Sequence, residues 1–404
     1  MSRNGSTTNT GLTADSPWTL GKAIVAINTG PGGDTVRLLP GDYLAAVLPI
    51  LKKSASWVAT GPGVRLTGFT STGVIWTLER GTAGAPGATY STPKGNTDAV
   101  FDTANLTEWG DYQKYATKGT ATDASAAMAL LTEDGQIAFD GANLYVRPIG
   151  GLNLTNASVR GGVRLRYHDR QAIVGLVSAG ADVVQYFRGI AFEGLQSLGA
   201  QVGSTWIIED CDFRYGKLNA VNHDAGHSIA IRCAASSNDR DGFNYHDVAM
   251  TGAEFIEIDC ESHHNGMENS PADSNNATSA HEDVVGIRVG GNYHHTTGPT
   301  VADVNNAKTW NLGCYAADSI AVTTYSRQNY RTEGDSAEMW LDECSSDGRN
   351  LPGPLGGTGF GYTFWASSPN ARIHISGFFG AAKPDPVEPS NAATAGFVDY
   401  YDAN

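Results

Sequence analysis

Between Ser204 and Asn269 apolar and polar positions alternate in short bursts, and three of the bursts end in a cysteine. Trp206-Ile207-Ile208 precedes Cys211, Ile229-Ala230-Ile231 precedes Cys233, and Phe255-Ile256-Glu257-Ile258 precedes Cys260. After each cysteine come polar turn residues, then a small residue and an apolar one: Ala220-Val221, Gly242-Phe243 and Gly266-Met267. The cysteines stand 22 and 27 residues apart. A period in the twenties, built of strands and turns without helix, predicts a β-solenoid whose coils stack about 4.8 Å apart. Stacking turns inward positions into ladders of like residues, and a thiol suits a ladder because it behaves as a small buried hydrophobe. An antiparallel β-sandwich with irregular loops is the competing architecture.

Upstream, Leu20, Ala23, Ile24 and Ile27 recur at helical spacing, which predicts an amphipathic helix over Ser16 to Gly30. Ser16 is its candidate N-cap, Pro17 suits the first helical position, and Gly30-Pro31 ends it. A solenoid exposes its core at the end of the coil, so such a helix is expected there as a cap. A strand over Gly33 to Tyr43, closed by Pro40-Gly41, follows as the first rung. Further rungs read at Trp57-Val58, Val64 to Leu66, Val74 to Trp76, Val163 to Leu165, Ile173-Val174 and Ile190 to Phe192. The series resumes at Val284 to Val289, Trp310 to Leu312 before Cys314, Met339 to Leu341 before Cys344, and Ile373 to Ile375.

The pattern breaks between residues 81 and 154, where a helix over Ser125 to Leu131 and a hairpin of Gln136 to Gly141 with Leu144 to Pro148 are predicted. The expected division is residues 1–53 as cap and first rung and 54–380 as the coil. Within the coil, 81–154 form an insertion beside it, and 381–404 form a tail. Phe397, Tyr400 and Tyr401 give that tail the means to dock on the open end of the coil or on a neighbour.

The run from Thr13 to Ile24 and the run from Gly32 to Tyr43 resemble the opening of right-handed parallel β-helix proteins of the pectate-lyase-like superfamily. The phrase from Phe139 to Pro148 resembles a hairpin inserted in several of them. The resemblance implies an all-β fold of the phage tailspike and polysaccharide lyase type, and a homotrimer. Many chemistries share this scaffold, so activity has to be read from the side chains.

Composition narrows the partners. Asp and Glu number 42 against 27 Lys and Arg, a net charge of −15, which disfavours nucleic acid and anionic membranes. No apolar run is long enough to span a bilayer, so no membrane insertion is expected. The first residues lack the apolar stretch of a secretory signal. An extracellular or virion-associated product reaching the cell surface on a phage particle is expected. Five cysteines, none in a C-x-x-C pair, predict buried thiols with neither a disulfide framework nor a zinc knuckle.

Eight of the ten histidines fall between His223 and His295, among numerous carboxylates. Aligning the small-apolar steps puts Asn222, Asn244 and Glu268 on one ladder, with His223, Tyr245 and Asn269 beside it and His246 directly after. Eliminative cleavage of a uronic acid polymer needs a base for the C5 proton, an acid for the leaving oxygen and a neutraliser for the carboxylate. His246 or His281 is the candidate base, Tyr245 or Tyr293 the acid, and Arg288 or a bound cation the neutraliser. Hydrolysis would use two carboxylates, Asp241 with Glu268 or Glu257 with Glu282. Asn222, His223, Asn244, His264, Tyr293 and His294 are the candidate substrate contacts.

Of each adjacent pair, His263-His264 and His294-His295, strand geometry lets only one member face the substrate. Outward histidines, asparagines and aspartates on a solenoid also occur as solvated turns and ladders with no further role. Trp109, Tyr112, Tyr115, Tyr293, Trp310, Trp340 and Trp365 are the aromatics available to stack on sugar, although Trp310 and Trp340 sit in rung runs that favour the core.

Asp241-Gly242 and Gly226-His227 resemble the D-G and G-H steps of polygalacturonase-like hydrolases. Their order is reversed and no R-x-K follows, so the hydrolase roles do not carry over. No cofactor is required, and calcium is the one cation the fold resemblance brings in. An acidic bacterial polysaccharide is the expected substrate, with a non-catalytic receptor-binding spike as the alternative.

Overall fold

The structure, a computed structural model, describes residues 6, 8–11, 15–44, 50–69, 75–93, 97–108, 111–155, 165–169, 175–195, 197–266, 275–320, 327–334, 336–347, 350–351, 361–380 and 397–400. Its main body is a parallel β-helix of three long sheets with eleven, ten and eight strands. One coil visits the sheets in turn: Thr205–Glu209 in the first, Asp212–Arg214 in the second, Val221–Asp224 in the third. The next coil repeats the visit with His227–Ile231, Ala234–Ser236 and Phe243–His246. Each strand pairs in parallel with its successor: Thr205 faces His227, Asp212 faces Ala234 and Val221 faces Phe243. The stacking expected from the cysteine period is therefore present, and the antiparallel sandwich is not the fold of this body.

The cysteine signal has a local cause. Each passage from first to second sheet turns on one residue with left-handed backbone: Asp210, Arg232, Asp259 and Glu343 at φ near 50°, with Gly290 and Gly313 in the equivalent place. That bend sends the next side chain into the core, where Cys211, Cys233, Cys260, Cys314 and Cys344 lie free and buried. Gly291 takes the cysteine's place in one coil because a Cβ there would meet the Tyr293 ring at 2.3–2.4 Å.

With the cysteine inward, residues three and five before it are inward too. The interior ladder through Trp57, Phe187, Ile208 and Ala230 then continues into Glu257, Arg288 and Asn311 before returning to Leu341 and Ile375. The middle of the coil is thus charged.

Arg288 is fully buried, its Nη1 3.3 Å from Asp303 Oδ1 and its Nε 3.7 Å from Glu257 Oε1. Thr278 bridges the ions, accepting from Arg288 Nε at 3.0 Å and donating to Glu257 at 2.7 Å. Thr309 and Asn311 accept from Arg288 Nη1, and the guanidinium lies 4.8 Å from the centre of the Phe255 ring. Burial works against the guanidinium's charge, but Asp303 and Glu257 more than offset it and hold the Arg288 pKa above its ordinary value.

The capping helix runs over Leu20–Thr29, shorter than predicted at its start. Thr19 rather than Ser16 is its N-cap, its hydroxyl accepting from the Lys22 N–H at 3.3 Å. The four predicted apolar positions are its buried face. At the far end, Phe397–Tyr400 joins the first sheet in parallel beside Arg372–Ser376, so this part of the tail forms a last strand; Tyr401 lies outside the described residues.

A second compact unit, Gly68–Ile173, is wider than the 81–154 insertion expected. It holds a five-stranded sheet, a three-stranded sheet and the helix Ala124–Leu130 around its own core of Trp76, Tyr90, Val100, Tyr115, Ile137 and Val146. The expected hairpin is Gln136–Phe139 against Leu144–Arg147. Two expected rungs belong to this unit instead. The strand Thr77–Arg80, which follows Trp76, pairs antiparallel with Thr89–Thr92, and Leu165–Asp169 pairs antiparallel with Thr97–Leu106. Short apolar runs look alike in both settings, because nothing in three residues distinguishes a parallel partner from an antiparallel one. Ile173-Val174 lies outside the described residues. Among the described residues, no helix is long and apolar enough to cross a membrane.

Candidate functional site

The outer face of the third sheet gathers the largest share of the candidate residues. Its strands put Asn222 beside Asn244 and Asn244 beside Ser279, and on the inward side His223 beside Tyr245 and Tyr245 beside Ala280. Two steps of each expected ladder are present. The third differs: Ser279 and Ala280 hold the places expected for Glu268 and Asn269. The connection after His263 is long, and the chain re-enters the sheet only at Thr278. Glu268 and Asn269 lie outside the described residues.

Four candidates point into the coil and are withdrawn from the substrate face. His223 is buried, accepts the Ala200 N–H on Nδ1 at 3.0 Å, and burial pushes its pKa down to about 3. Tyr245 lies between the rings of His223 and Phe255, at 5.4 Å and 3.9 Å. The buried Tyr293 donates to Glu257 at 2.7 Å, and Arg288 sits in the ion network above. Glu257 is withdrawn with them as a hydrolytic carboxylate. Strand alternation explains all five: each lies an even number of positions from a residue already inward.

What remains outside is connected. Asn219 and Asn244 both donate to Asn222 Oδ1, at 2.9 Å and 2.8 Å, and Ser279 donates to Asn244 Oδ1 at 2.8 Å. Ser279 Oγ also lies 3.3 Å from Asp241 Oδ2, and Asp241 Oδ1 accepts the Asn276 N–H at 2.6 Å. Burial pushes the Asp241 pKa up to about 6, against these bonds and the nearby His246. A serine has one proton to give. With it directed to Asn244, its lone pairs can receive one from a protonated Asp241.

His246 and His281 stack at 4.2 Å on the same face. Glu282 turns the corner out of the sheet with left-handed backbone (φ 56°), which brings its carboxylate back to His246 Nδ1 at 3.0 Å and to the Asp247 N–H at 3.1 Å. An ionised carboxylate only accepts, so the proton of neutral His246 sits on Nδ1 and its Nε2 carries the lone pair. His281 is held neutral, its pKa pushed down to about 3 by burial and then by His246.

His246, His281 and Glu282 each bring a ligand-capable atom, all within 4.8 Å of one another. Two imidazoles and one carboxylate suit a transition ion, whereas calcium takes oxygen ligands, so this trio does not fit calcium.

Arg331 stands on the outward ladder that runs from Ser279 through Ala302, with Trp365 next, and it pairs with Glu333 at 2.5 Å. It was not among the sequence candidates, and it is buried, with its charge met by the more exposed Glu333.

The remaining expected contacts, His264 and His294, belong to the second sheet and its corner. The histidine pairs depart from strand geometry: His264 and His295 have left-handed backbone, φ 53° and 54°. Both members of each pair therefore lie on one side, Nδ1 to Nδ1 at 2.8 Å.

On the first sheet, Trp310 faces outward and is 50% exposed, with its ring 6.4 Å from Trp340, whose ring lies 5.1 Å from His374. The expectation of a core position is thus overturned for Trp310 and for the half-buried Trp340, which stands beside it on the same outward ladder. Thr309 and Asn311 take the inward places because Arg288 needs polar neighbours. Tyr115 is buried, Tyr112 half-buried, and Trp109 lies outside the described residues.

No family model matches the chain, and no curated protein is similar to it. Solved structures of low similarity share broad coverage. The tailspike gp61 of Pseudomonas phage phi297 is 8% identical, over 95% of this chain and 70% of that one, with a TM-score of 0.33. The A-module of the mannuronan C-5 epimerase AlgE4 of Azotobacter vinelandii is 10% identical, over 95% and 93%, at 0.35. The tailspike gp49 of Pseudomonas phage LKA1 is 9% identical, over 90% and 74%, at 0.30.

Proposed function

We propose that this chain binds an acidic bacterial surface polysaccharide along the outer face of the third sheet and cleaves it by β-elimination. The observation that carries the reading is the Glu282 carboxylate on His246 Nδ1, which leaves Nε2 as a base. His246 Nε2 takes the C5 proton of a uronate, the C4–C5 double bond forms, and the C4–O bond breaks. Asp241, half protonated near pH 6, gives its proton to the leaving oxygen. Asn222 faces the sugar's path with the buried Asn244 and Ser279 behind it, and Arg331, largely buried and paired with Glu333, lies further along the face. The setting that goes with this reading is a homotrimer, extracellular or carried on a virion. No resident metal enters the steps.

A non-catalytic receptor-binding spike is the second reading. The exposed Trp310–Trp340–His374 strip favours it, since stacking on sugar rings needs no acid or base.

The test incubates the protein with acidic capsular polysaccharides and follows absorbance near about 235 nm, where a conjugated uronate absorbs, together with reducing ends. Both rise under elimination. Reducing ends alone mean hydrolysis, and binding with neither means an adhesin. His246→Ala should lower turnover by about 100-fold or more while leaving the melting temperature unchanged. Full activity in that variant removes His246 as the base. An unchanged rise in wild type under a calcium chelator is expected, and its loss would return calcium to the mechanism.

A further inference from the structure

Four imidazoles repeat on two successive coils, away from the acid–base pair. His263 lies beside His294 in the second sheet, their rings parallel at 5.2 Å. At the corner that follows, His264 stacks on His295 at 4.8 Å. Within each coil the two rings stand nearly perpendicular, at 86° and 85°, and Nδ1 meets Nδ1 at 2.8 Å. Two carboxylates border the quartet: Glu261 Oε1 lies 3.4 Å from His294 Nε2, and Asp318 Oδ2 lies 3.8 Å from His295 Nδ1. Asp318 turns the same corner one coil on, also with left-handed backbone (φ 53°).

We propose that His263, His264, His294 and His295, with Asp318 beside them, bind a divalent transition-metal ion. Neighbouring nitrogens on one such ion stand about 2.8–3 Å apart when the metal–nitrogen bonds are about 2.0–2.1 Å. Each coil already holds its Nδ1 pair at that separation. The two pairs lie about one strand spacing apart, so swinging the side chains about their χ angles closes the set on one ion. Imidazole nitrogen selects copper, nickel or zinc over calcium or magnesium. Metal coordination needs neutral imidazole, so binding should strengthen as the pH rises from acid toward neutral. The left-handed corners carry the specificity: with extended backbone, His264 and His295 would face away from their partners.

The experiment titrates Cu2+ into the His246→Ala protein, which removes the other converging imidazole set, and records calorimetry and electron paramagnetic resonance. One Cu2+ per chain is expected, with nitrogen hyperfine splitting from at least three imidazoles, competition by Zn2+ and Ni2+, and none by Ca2+ or Mg2+. His264→Asn with His295→Asn should weaken binding by more than about tenfold and simplify the splitting. Asparagine is chosen because it tolerates left-handed backbone. Circular dichroism verifies that the double variant is folded; if it is not, His263→Gln should give the same loss in a strand position. Unchanged copper stoichiometry and spectrum in the folded variants would overturn the site, as would absence of nitrogen splitting in the parent. The polysaccharide reading is untouched by either result, since His246 is already replaced.

Discussion

Inside the coil, Arg288 pairs with both Glu257 and Asp303, and all three side chains are shut off from the surface. On the outward side of the third sheet, His246 and Glu282 are half-buried similar groups, with Asp241 buried beside them and bonded through both oxygens. In the inner set Thr278, Thr309 and Asn311 meet the hydrogen bonds of Arg288 Nε and Nη1, while its buried Nη2 has no partner among the described residues. The outer set is anchored by Asn276, Asp247 and Glu282, and His246 keeps a nitrogen for something that is not protein. Charged residues at a solenoid rung therefore carry opposite meanings according to which way the strand alternation points them. Inward networks specify the coil, and outward ones are available for chemistry.

The largest test of this contrast is Arg288→Met, which keeps the volume and removes the charge. Stranding Glu257 and Asp303 in the core should cost about 3–5 kcal/mol, read from the denaturant midpoint. Adding Glu257→Gln and Asp303→Asn should recover most of the loss, because the stranded carboxylates, rather than the missing attraction, make up the penalty. A single variant as stable as wild type would mean that Glu257 and Asp303 do not depend on Arg288 for their place in the core.

That interior could have been read from the sequence once the cysteines were used as a ruler. Counting three and five residues back from Cys211 gives Ile208 and Trp206, and from Cys260 gives Glu257 and Phe255, all buried. The same count from Gly291 gives Arg288 and Gly286, and from Cys314 gives Asn311 and Thr309. This assigns Arg288 inward and frees Trp310 to face out. Composition within a rung misleads here, because a tryptophan looks like core until its phase is known.

The coil period and the capping helix were legible from hydrophobic spacing alone. So was the step from Asn222 to Asn244. The place of Ser279 was not, since it depends on the length of the connection after His263. The histidine corners depend on two left-handed residues, and histidine at such a place carries no pattern of its own. Asp241 was found as a carboxylate but not as a proton donor, because its raised pKa comes from burial, which a sequence does not display.

The next effect in size belongs to Asp241. With its pKa at about 6 in the fold and near its ordinary value of 3.8 when unfolded, the native state holds its proton more tightly. Its stabilising contribution is therefore complete below about pH 4, shrinks between about pH 4 and 6, and is gone above that, a change of at most about 3 kcal/mol. Asp241→Asn cannot titrate, so its stability relative to wild type should rise across that window and stay level beyond it. Unfolding midpoints of the two proteins at pH 4, 5, 6 and 7 make the comparison. Parallel curves would deny Asp241 the proton it is assigned to give. The same variant should lose activity at every pH if elimination needs that proton.

Glu282→Gln gives the smallest change in stability, under about 1 kcal/mol, because the pair it breaks is partly exposed and the amide oxygen can still accept the Asp247 N–H. Its effect on turnover separates a positioning residue from a merely structural one. Without a carboxylate on Nδ1, the imidazole is free to place its proton on either nitrogen and loses the charge that stabilises its protonated form. The turnover rate should then fall by about tenfold or more. Substrate affinity should hold, since Glu282 touches His246 and not Asn222 or the buried Asn244 and Ser279 behind it. A fall in affinity with unchanged turnover would place Glu282 among the binding residues and leave His246 oriented by something else.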